Sequence, residues 1–163
     1  MNLIKKLLLI SFFFGCITIN AQEDIETEVL KTFTFEEVEK LYQQKPKPMV
    51  VFIYTDWCKL CFGMKKNTFQ DEEIIQLLNN KFYFIKLNGE EKKNINFLGK
   101  KFVYRPSGNK TGTHELAKEL ASIKGKISYP TTTILSNTFQ INAQIDHYMN
   151  SEKFYQLLES YLK

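Results

Sequence analysis

A chain of 163 residues has the length of a single domain. Its 22 Lys and Arg against 18 Asp and Glu leave too small a net charge for a nucleic-acid surface, and 14 Phe with 8 Tyr supply the material of a compact core. The first stretch stands apart from that domain. Lys5 and Lys6 lead an apolar run, Leu7 to Ile19, well short of the roughly 20 residues that span a bilayer. Ile19-Asn20-Ala21 ends on a small residue. These three parts read as a secretory signal over residues 1–21, cleaved before Gln22, with the folded domain in 22–163. On this reading the mature chain is exported to the periplasm and has no stable membrane insertion. The alternatives are an uncleaved N-terminal tether and a lipid anchor through Gly15-Cys16, the latter disfavoured by Phe13 and Phe14 just ahead of it. Cleavage removes Cys16, so Cys58 and Cys61 can pair within the chain only with each other. A disulfide-stapled domain shows more cysteines at wider spacing, and so short a loop gains little from closure.

Thr34-Phe35-Glu36-Glu37 is a capping box, and Phe35, Val38, Leu41 and Tyr42 recur at helical spacing, which predicts a helix from Phe35 to Gln44. Pro46 and Pro48 end it. Met49 to Tyr54 is apolar throughout, as a central strand covered on both faces should be. A helix follows from Cys58 to Asn67. Asp71 caps another, with Ile74, Ile75, Leu77 and Leu78 inward. Phe82 to Leu87 reads as the next strand, closed by Asn88-Gly89. An insert over about 90–112 then carries a hairpin, Ile95–Phe97 against Phe102–Tyr104 around Gly99-Lys100, and a loop from Ser107 to Gly112. Lys92, Lys93, Lys100 and Lys101 in it read as a solvated surface. Thr113 caps a helix with Leu116, Ala117, Leu120 and Ile123, stopped by Gly125. Thr131–Leu135 and Phe139–Ile145 read as an antiparallel pair turning at Ser136-Asn137. Ser151 caps a last helix with Phe154, Leu157, Leu158, Tyr161 and Leu162 on one face. The order predicts an α/β domain with a central mixed sheet and helices on both faces.

Trp57-Cys58-Lys59-Leu60-Cys61 carries the chemistry. Two cysteines with two residues between them, where a strand gives way to a helix, can close into a disulfide within one turn. The helix start turns unpaired N–H groups toward the first sulfur and favours its thiolate, and Lys59 adds to that. At a pKa of about 8.5 a few per cent of a thiol is ionised near neutral pH; at about 7 roughly half is, a gain of order tenfold in the attacking species. The competing chemistry is a metal half-site. Zinc asks for two further ligands and only His114 and His147 exist, so no metal is expected. His114, at a helix start with no evident partner, reads as a surface or capping residue, and His147 as blander still.

The motif after a buried strand, together with Tyr129-Pro130-Thr131 ahead of a later one, resembles the thioredoxin superfamily over about Glu28 to Lys163. Tyr54-Thr55-Asp56-Trp57-Cys58, then Thr68-Phe69-Gln70-Asp71, is similar to exported bacterial thioredoxin-like proteins more than to cytosolic thioredoxin. The resemblance implies a thioredoxin-like fold and a thiol–disulfide oxidoreductase that exchanges disulfides with protein substrates. By the family's mechanism Cys58 attacks a partner disulfide and Cys61 resolves the mixed disulfide, with no cofactor beyond the pair itself. Trp57 caps the site. Pro130 is expected to be cis and to lie against the cysteines, leaving the Tyr129 backbone free to pair with an incoming peptide. Implied partners are protein thiols and disulfides and an upstream thiol electron donor, membrane-bound or soluble, serving a monomer. One departure stands out. The buried carboxylate that takes the second cysteine's proton in thioredoxin falls by position on Phe52. Asp56 is the nearest acid and the candidate proton relay, with water as the other acceptor. Phe52 keeps open a thioredoxin-like binding or redox-sensing module without turnover, and more remotely a metal carrier. The insert either shapes partner choice or is decoration. About 30 mV separates redox couples that differ by about 1.4 kcal/mol, the worth of one hydrogen bond to a thiolate, so Lys59-Leu60 does not set the direction of electron flow.

Overall fold

The computed structural model describes residues 28–162. The signal reading of residues 1–21 and the start at Gln22 lie outside them. Helix α1, Phe35–Tyr42, begins at the capping box: Thr34 Oγ1 accepts from the Glu37 N–H at 3.2 Å and Glu37 Oε2 from the Thr34 N–H at 2.8 Å. It stops short of the expected Gln44, with Gln43 as C-cap, because Pro46 and Pro48 pull the chain out of the helical region ahead of them. Strand β1, Met49–Tyr54, follows, then α2 (Lys59–Lys66), a 3₁₀ turn (Thr68–Gln70), α3 (Glu72–Lys81) and β2 (Tyr83–Asn88). Asp71 caps α3 as its sequence predicts, accepting from Glu73 and Ile74 N–H at 3.1 and 3.3 Å. β2 starts one residue later than expected, since Phe82 N–H still bonds back to Leu78 as the helix C-cap.

The central sheet has the order β10-β9-β1-β2, where β9 is Thr131–Leu135 and β10 is Ile141–Ile145. β1 and β2 run parallel, with Val51 opposite Ile85; β9 is antiparallel to both β1 and β10. Met49 through Ile53 are all fully buried. Alternation sends Met49, Val51 and Ile53 to one face, under α1, α4 (Glu115–Ala121) and a hairpin of the insert. Val50 and Phe52 face the other way, under α2, α3 and the last helix, α5 (Ser151–Ser160). Each such side chain contributes about 1.5–3 kcal/mol by leaving water, so β1 is the common floor of two cores.

The insert differs from its expected form. The hairpin β3–β4 pairs Ile95–Phe97 with Lys100–Phe102. Tyr104 belongs instead to a second hairpin, β5 (Tyr104–Gly108) with β6 (Thr111–His114), across what reads as a loop in sequence. Thr113 is therefore strand, and the cap of α4 is His114, whose Nδ1 accepts from Leu116 N–H at 3.3 Å. Helix α4 ends at Ala121 rather than at Gly125, and Gly125, at φ +77°, turns a two-residue pairing of β7 (Ser122–Ile123) with β8 (Lys126–Ile127). Asn150, not Ser151, caps α5, accepting from Lys153 N–H at 3.0 Å.

Candidate functional site

β1 delivers the chain to the motif. Past Tyr54, the Thr55 carbonyl accepts the Cys58 N–H at 3.3 Å, closing a turn that leaves Cys58 as N-cap of α2. Its Sγ accepts the Cys61 N–H at 3.1 Å, so the first sulfur sits on a helix-start donor as Ser or Asp does at other caps. Cys58 and Cys61 are joined by a disulfide across a Cα–Cα distance of 5.2 Å. Cys58 is 6% exposed and Cys61 0%, so what surface the pair has belongs to the first cysteine. Cys61 and Met64, three apart, form the buried stripe of α2 above Val50 and Phe52.

Trp57 is 65% exposed and meets the Tyr129 ring edge-on, centroids 5.8 Å apart. The Tyr129–Pro130 peptide bond is cis, and Pro130, buried, leads directly into β9. Tyr129 lies against Gly89, just past β2: a Cβ there would fall 2.6 Å from the ring's Cζ and 2.7 Å from Cε1, besides meeting the hydroxyl. Burial raises the Tyr129 phenol above its ordinary pKa, with the Glu90 carboxylate adding to it. Lys59 is exposed at the first position of α2.

Asp56 does not enter the cysteine face. Its carboxylate is exposed, accepts from Asn88 Nδ2 at 3.1 Å and makes no hydrogen bond to either cysteine. Close by, the Lys65 ammonium stands 3.1 Å from the centroid of the Tyr54 ring. Burial lowers the Lys65 pKa, Asp56 opposing; burial also raises that of Tyr54, reinforced by Asp56 and Glu91. Phe52 fills its position with hydrocarbon, edge-on to Phe69 at 4.7 Å and stacked on Tyr54 at 5.8 Å. Among the described residues no Asp or Glu is buried. The buried polar side chains are five threonines and His114, of which Thr55 Oγ1, Thr132 Oγ1 and His114 Nε2 have no hydrogen-bond partner of good geometry.

His114 corrects the surface half of its expectation. It caps α4 but is fully buried, and its backbone N–H donates to Gly89 O at 2.8 Å. Burial lowers its pKa, against the carboxylates of Glu91 and Glu115 and the backbone of Lys93 and Phe102. His147 is exposed, 3.8 Å from Asp146. Among the described residues, no three of His, Cys, Asp and Glu converge as a metal-holding group. Leu60 and Phe62, 56% and 67% exposed, flank Cys61 and stand out only in the structure; the available signal in sequence is that both fall off the Cys61–Met64 stripe yet are apolar. Gly89, which in sequence reads only as part of the turn closing a strand, comes to lie against Tyr129, and Thr132 stands opposite Phe52 across the sheet; both placements are made by the fold.

No curated protein matches the sequence. Among solved structures, the DsbH oxidoreductase is 15% identical with a TM-score of 0.60, covering 91% of this chain and 94% of that one. A thioredoxin from Thermus thermophilus is 16% identical, TM-score 0.58, covering 82% and 87%. The reduced C-terminal domain of Neisseria meningitidis DsbD is 16% identical, TM-score 0.52, covering 77% and 90%. At these identities the likeness is one of fold. The thioredoxin-like domain pattern matches residues 35–162, from the first residue of α1 to the end of the described chain, and by that match the protein belongs to the thioredoxin-like domain family.

Proposed function

We propose that the protein is an exported thiol–disulfide oxidoreductase acting on protein disulfides and thiols through Cys58 and Cys61. The observation that carries this reading is the joined pair at the N-terminus of α2, with what little surface it keeps at Cys58 and with Cys61 sealed beneath. In the reduced protein the Cys61 N–H and the helix start favour the Cys58 thiolate. That thiolate attacks one sulfur of a partner disulfide; a Cys58–partner bond forms and the partner's other sulfur leaves as a thiolate. Cys61, deprotonated, then attacks the Cys58 sulfur. The Cys58–Cys61 bond forms, the mixed disulfide breaks, and the partner leaves with both its sulfurs reduced. The reverse sequence oxidises a dithiol.

Trp57, Tyr129 and Pro130 wall the approach to Cys58, and the backbone at Tyr129 pairs with the partner strand. Leu60 and Phe62 extend that wall with apolar surface, and Lys59 adds positive charge beside the thiolate. Asp56, at the surface, serves as relay only through water. The redox pair is the whole of the chemistry, with no cofactor. Residues 1–21 export the chain to the periplasm, where a thiol donor recharges it. Among the described residues no helix is long and apolar enough to cross a membrane.

A Cys61→Ser variant tests this. With the resolving thiol gone, Cys58 retains its partners, and non-reducing electrophoresis shows adducts that dithiothreitol removes; the parent protein also accelerates insulin reduction by dithiothreitol. Absence of both sinks the reading. A second reading, redox sensing without turnover, draws on Phe52 and the 6% exposure of Cys58. It requires that the pair oxidise and reduce with glutathione while insulin turnover stays at the uncatalysed rate.

A further inference from the structure

We infer that the Thr132 hydroxyl donates a hydrogen bond to the Cys61 sulfur when the pair is reduced, stabilising the resolving thiolate on a face that has no carboxylate. The inference deepens the oxidoreductase reading and rests on it for its biological use.

Three observations carry it. The first is placement. Thr132 of β9 stands directly opposite Phe52 of β1, and Ile134 opposite Val50. Directly opposed residues project to the same side of a sheet. Phe52, Val50 and Ile134 pack in one core with Cys58 and Cys61, so Thr132 belongs to the cysteine face. On that face Phe52 and Thr132 form the first paired row below the motif; the next row, Val50 and Ile134, lies about 7 Å further along the strands. Cys61 is three residues along α2 from Cys58, about 4.5 Å of helix rise, and packs in the same core as Phe52 and Val50.

The second is an unused hydroxyl. Thr131 and Thr133 spend theirs on the carbonyls of Ser128 and Leu120, at 2.8 and 2.5 Å. Thr132 is equally buried, and its Oγ1 has no partner. A sealed, unpaired hydroxyl is costly and calls for an explanation. The third is that the pair is joined in this state. In the joined state no sulfur, Cys61 Sγ included, stands in hydrogen-bonding position to that hydroxyl, whereas a thiolate freed from the bond and held in a dry site accepts a strong, charge-assisted one. The hydroxyl is therefore idle when the pair is oxidised and engaged when it is reduced.

The step balances without a buried base. In the mixed disulfide the Cys61 thiol yields its proton to water. The Thr132 O–H keeps its own proton and donates toward the sulfur left negative. That sulfur attacks Cys58, the Cys58–Cys61 bond forms, and the partner sulfur leaves with the electron pair of the broken bond and takes up a proton from water.

Thr132→Val keeps the shape and removes the donor. Its equilibrium with glutathione, measured at a pH high enough to ionise Cys61, should move about tenfold toward the disulfide, which is about 30 mV more reducing. The ultraviolet titration of Cys61 in a Cys58→Ser background should move to higher pH, and Thr132→Ser should restore both. A merely structural threonine moves neither. A Thr132→Val protein that unfolds cooperatively and equilibrates with glutathione within twofold of the parent overturns the inference. If Val does not fold, Thr132→Ala against Thr132→Ser makes the same comparison. These equilibria need no protein partner, so their failure is distinct from the absence of Cys61→Ser adducts, which would strike the oxidoreductase reading instead.

Discussion

Replacing Gly89 with alanine drives one methyl group into the Tyr129 ring. The added Cβ would lie 2.6 Å from Cζ and 2.7 Å from Cε1, where ordinary carbon contacts begin near 3.4 Å. The ring cannot yield at its tip alone, because two of its carbons are struck besides the hydroxyl, and any shift also disturbs its edge-on contact with Trp57. Gly89 does not hold a positive φ, so alanine suits its backbone and even stabilises by about 0.4–1 kcal/mol through the unfolded chain. Against that, overpacking of this kind costs about 1–3 kcal/mol. The expected net loss is about 1–2 kcal/mol, or about 4–8 °C in Tm for a domain of this size. Urea and thermal unfolding of the oxidised protein measure it. Trp57 is the only tryptophan in the chain, so its emission reports ring displacement at the site and should shift in the same variant. In a Tyr129→Ala background the clash has no partner, and Gly89→Ala should become neutral or slightly stabilising. If the loss is as large without the Tyr129 ring, or if stability and emission both stay at parental values, the packing argument is wrong.

Asp71→Ala removes the acceptor for two N–H groups at the start of α3 and should cost about 1 kcal/mol by urea denaturation, with Asp71→Asn nearly neutral. His114 makes stability depend on pH. Its folded pKa is lowered from 6.5, so the unfolded chain binds the proton more readily. Stability is then complete above about 6.5 and declines as pH falls below it, until the folded group itself titrates. His114→Asn, which keeps a capping acceptor and removes the titration, should flatten the fall in denaturation midpoint between pH 7.5 and 5; an unchanged slope would acquit His114.

The sheet and its two covering layers were legible because their signals are local or periodic. Met49 to Tyr54 is apolar at every position, which only a strand buried on both faces requires, and Thr34 with Glu37 fixes the start of α1 to the residue. The cysteine pair was legible for the same reason: three residues of spacing at a helix start are a local geometry. What failed depends on cross-strand pairing, whether near or remote in sequence. Ser107 to Gly112 is polar and glycine-rich, the composition of a loop, yet Tyr104 to Gly108 pairs with Thr111 to His114 as a hairpin whose first strand is largely exposed and carries no apolar alternation. Thr113 is the better cap by propensity, but pairing with Arg105 holds it in the strand and the task passes to His114. That Phe52 cannot ionise is legible in the residue itself. That a threonine faces it across the sheet follows from the register of β1 with β9, which no periodicity in either strand encodes.

Gly89 O and His114 N–H, 2.8 Å apart, pin together the two ends of the insert. A segment whose ends already touch can grow or change sequence without moving the strands it interrupts. Yet Phe97 and Phe102 from its first hairpin are almost fully buried, and Phe97 packs on Phe35 of α1 at 4.9 Å. Excision would thus leave the chain path intact while stripping the lid from one of its two cores. The stem makes this a place where descendants of the fold can elaborate freely outward, and where trimming back to the minimal domain would demand a rebuilt α1.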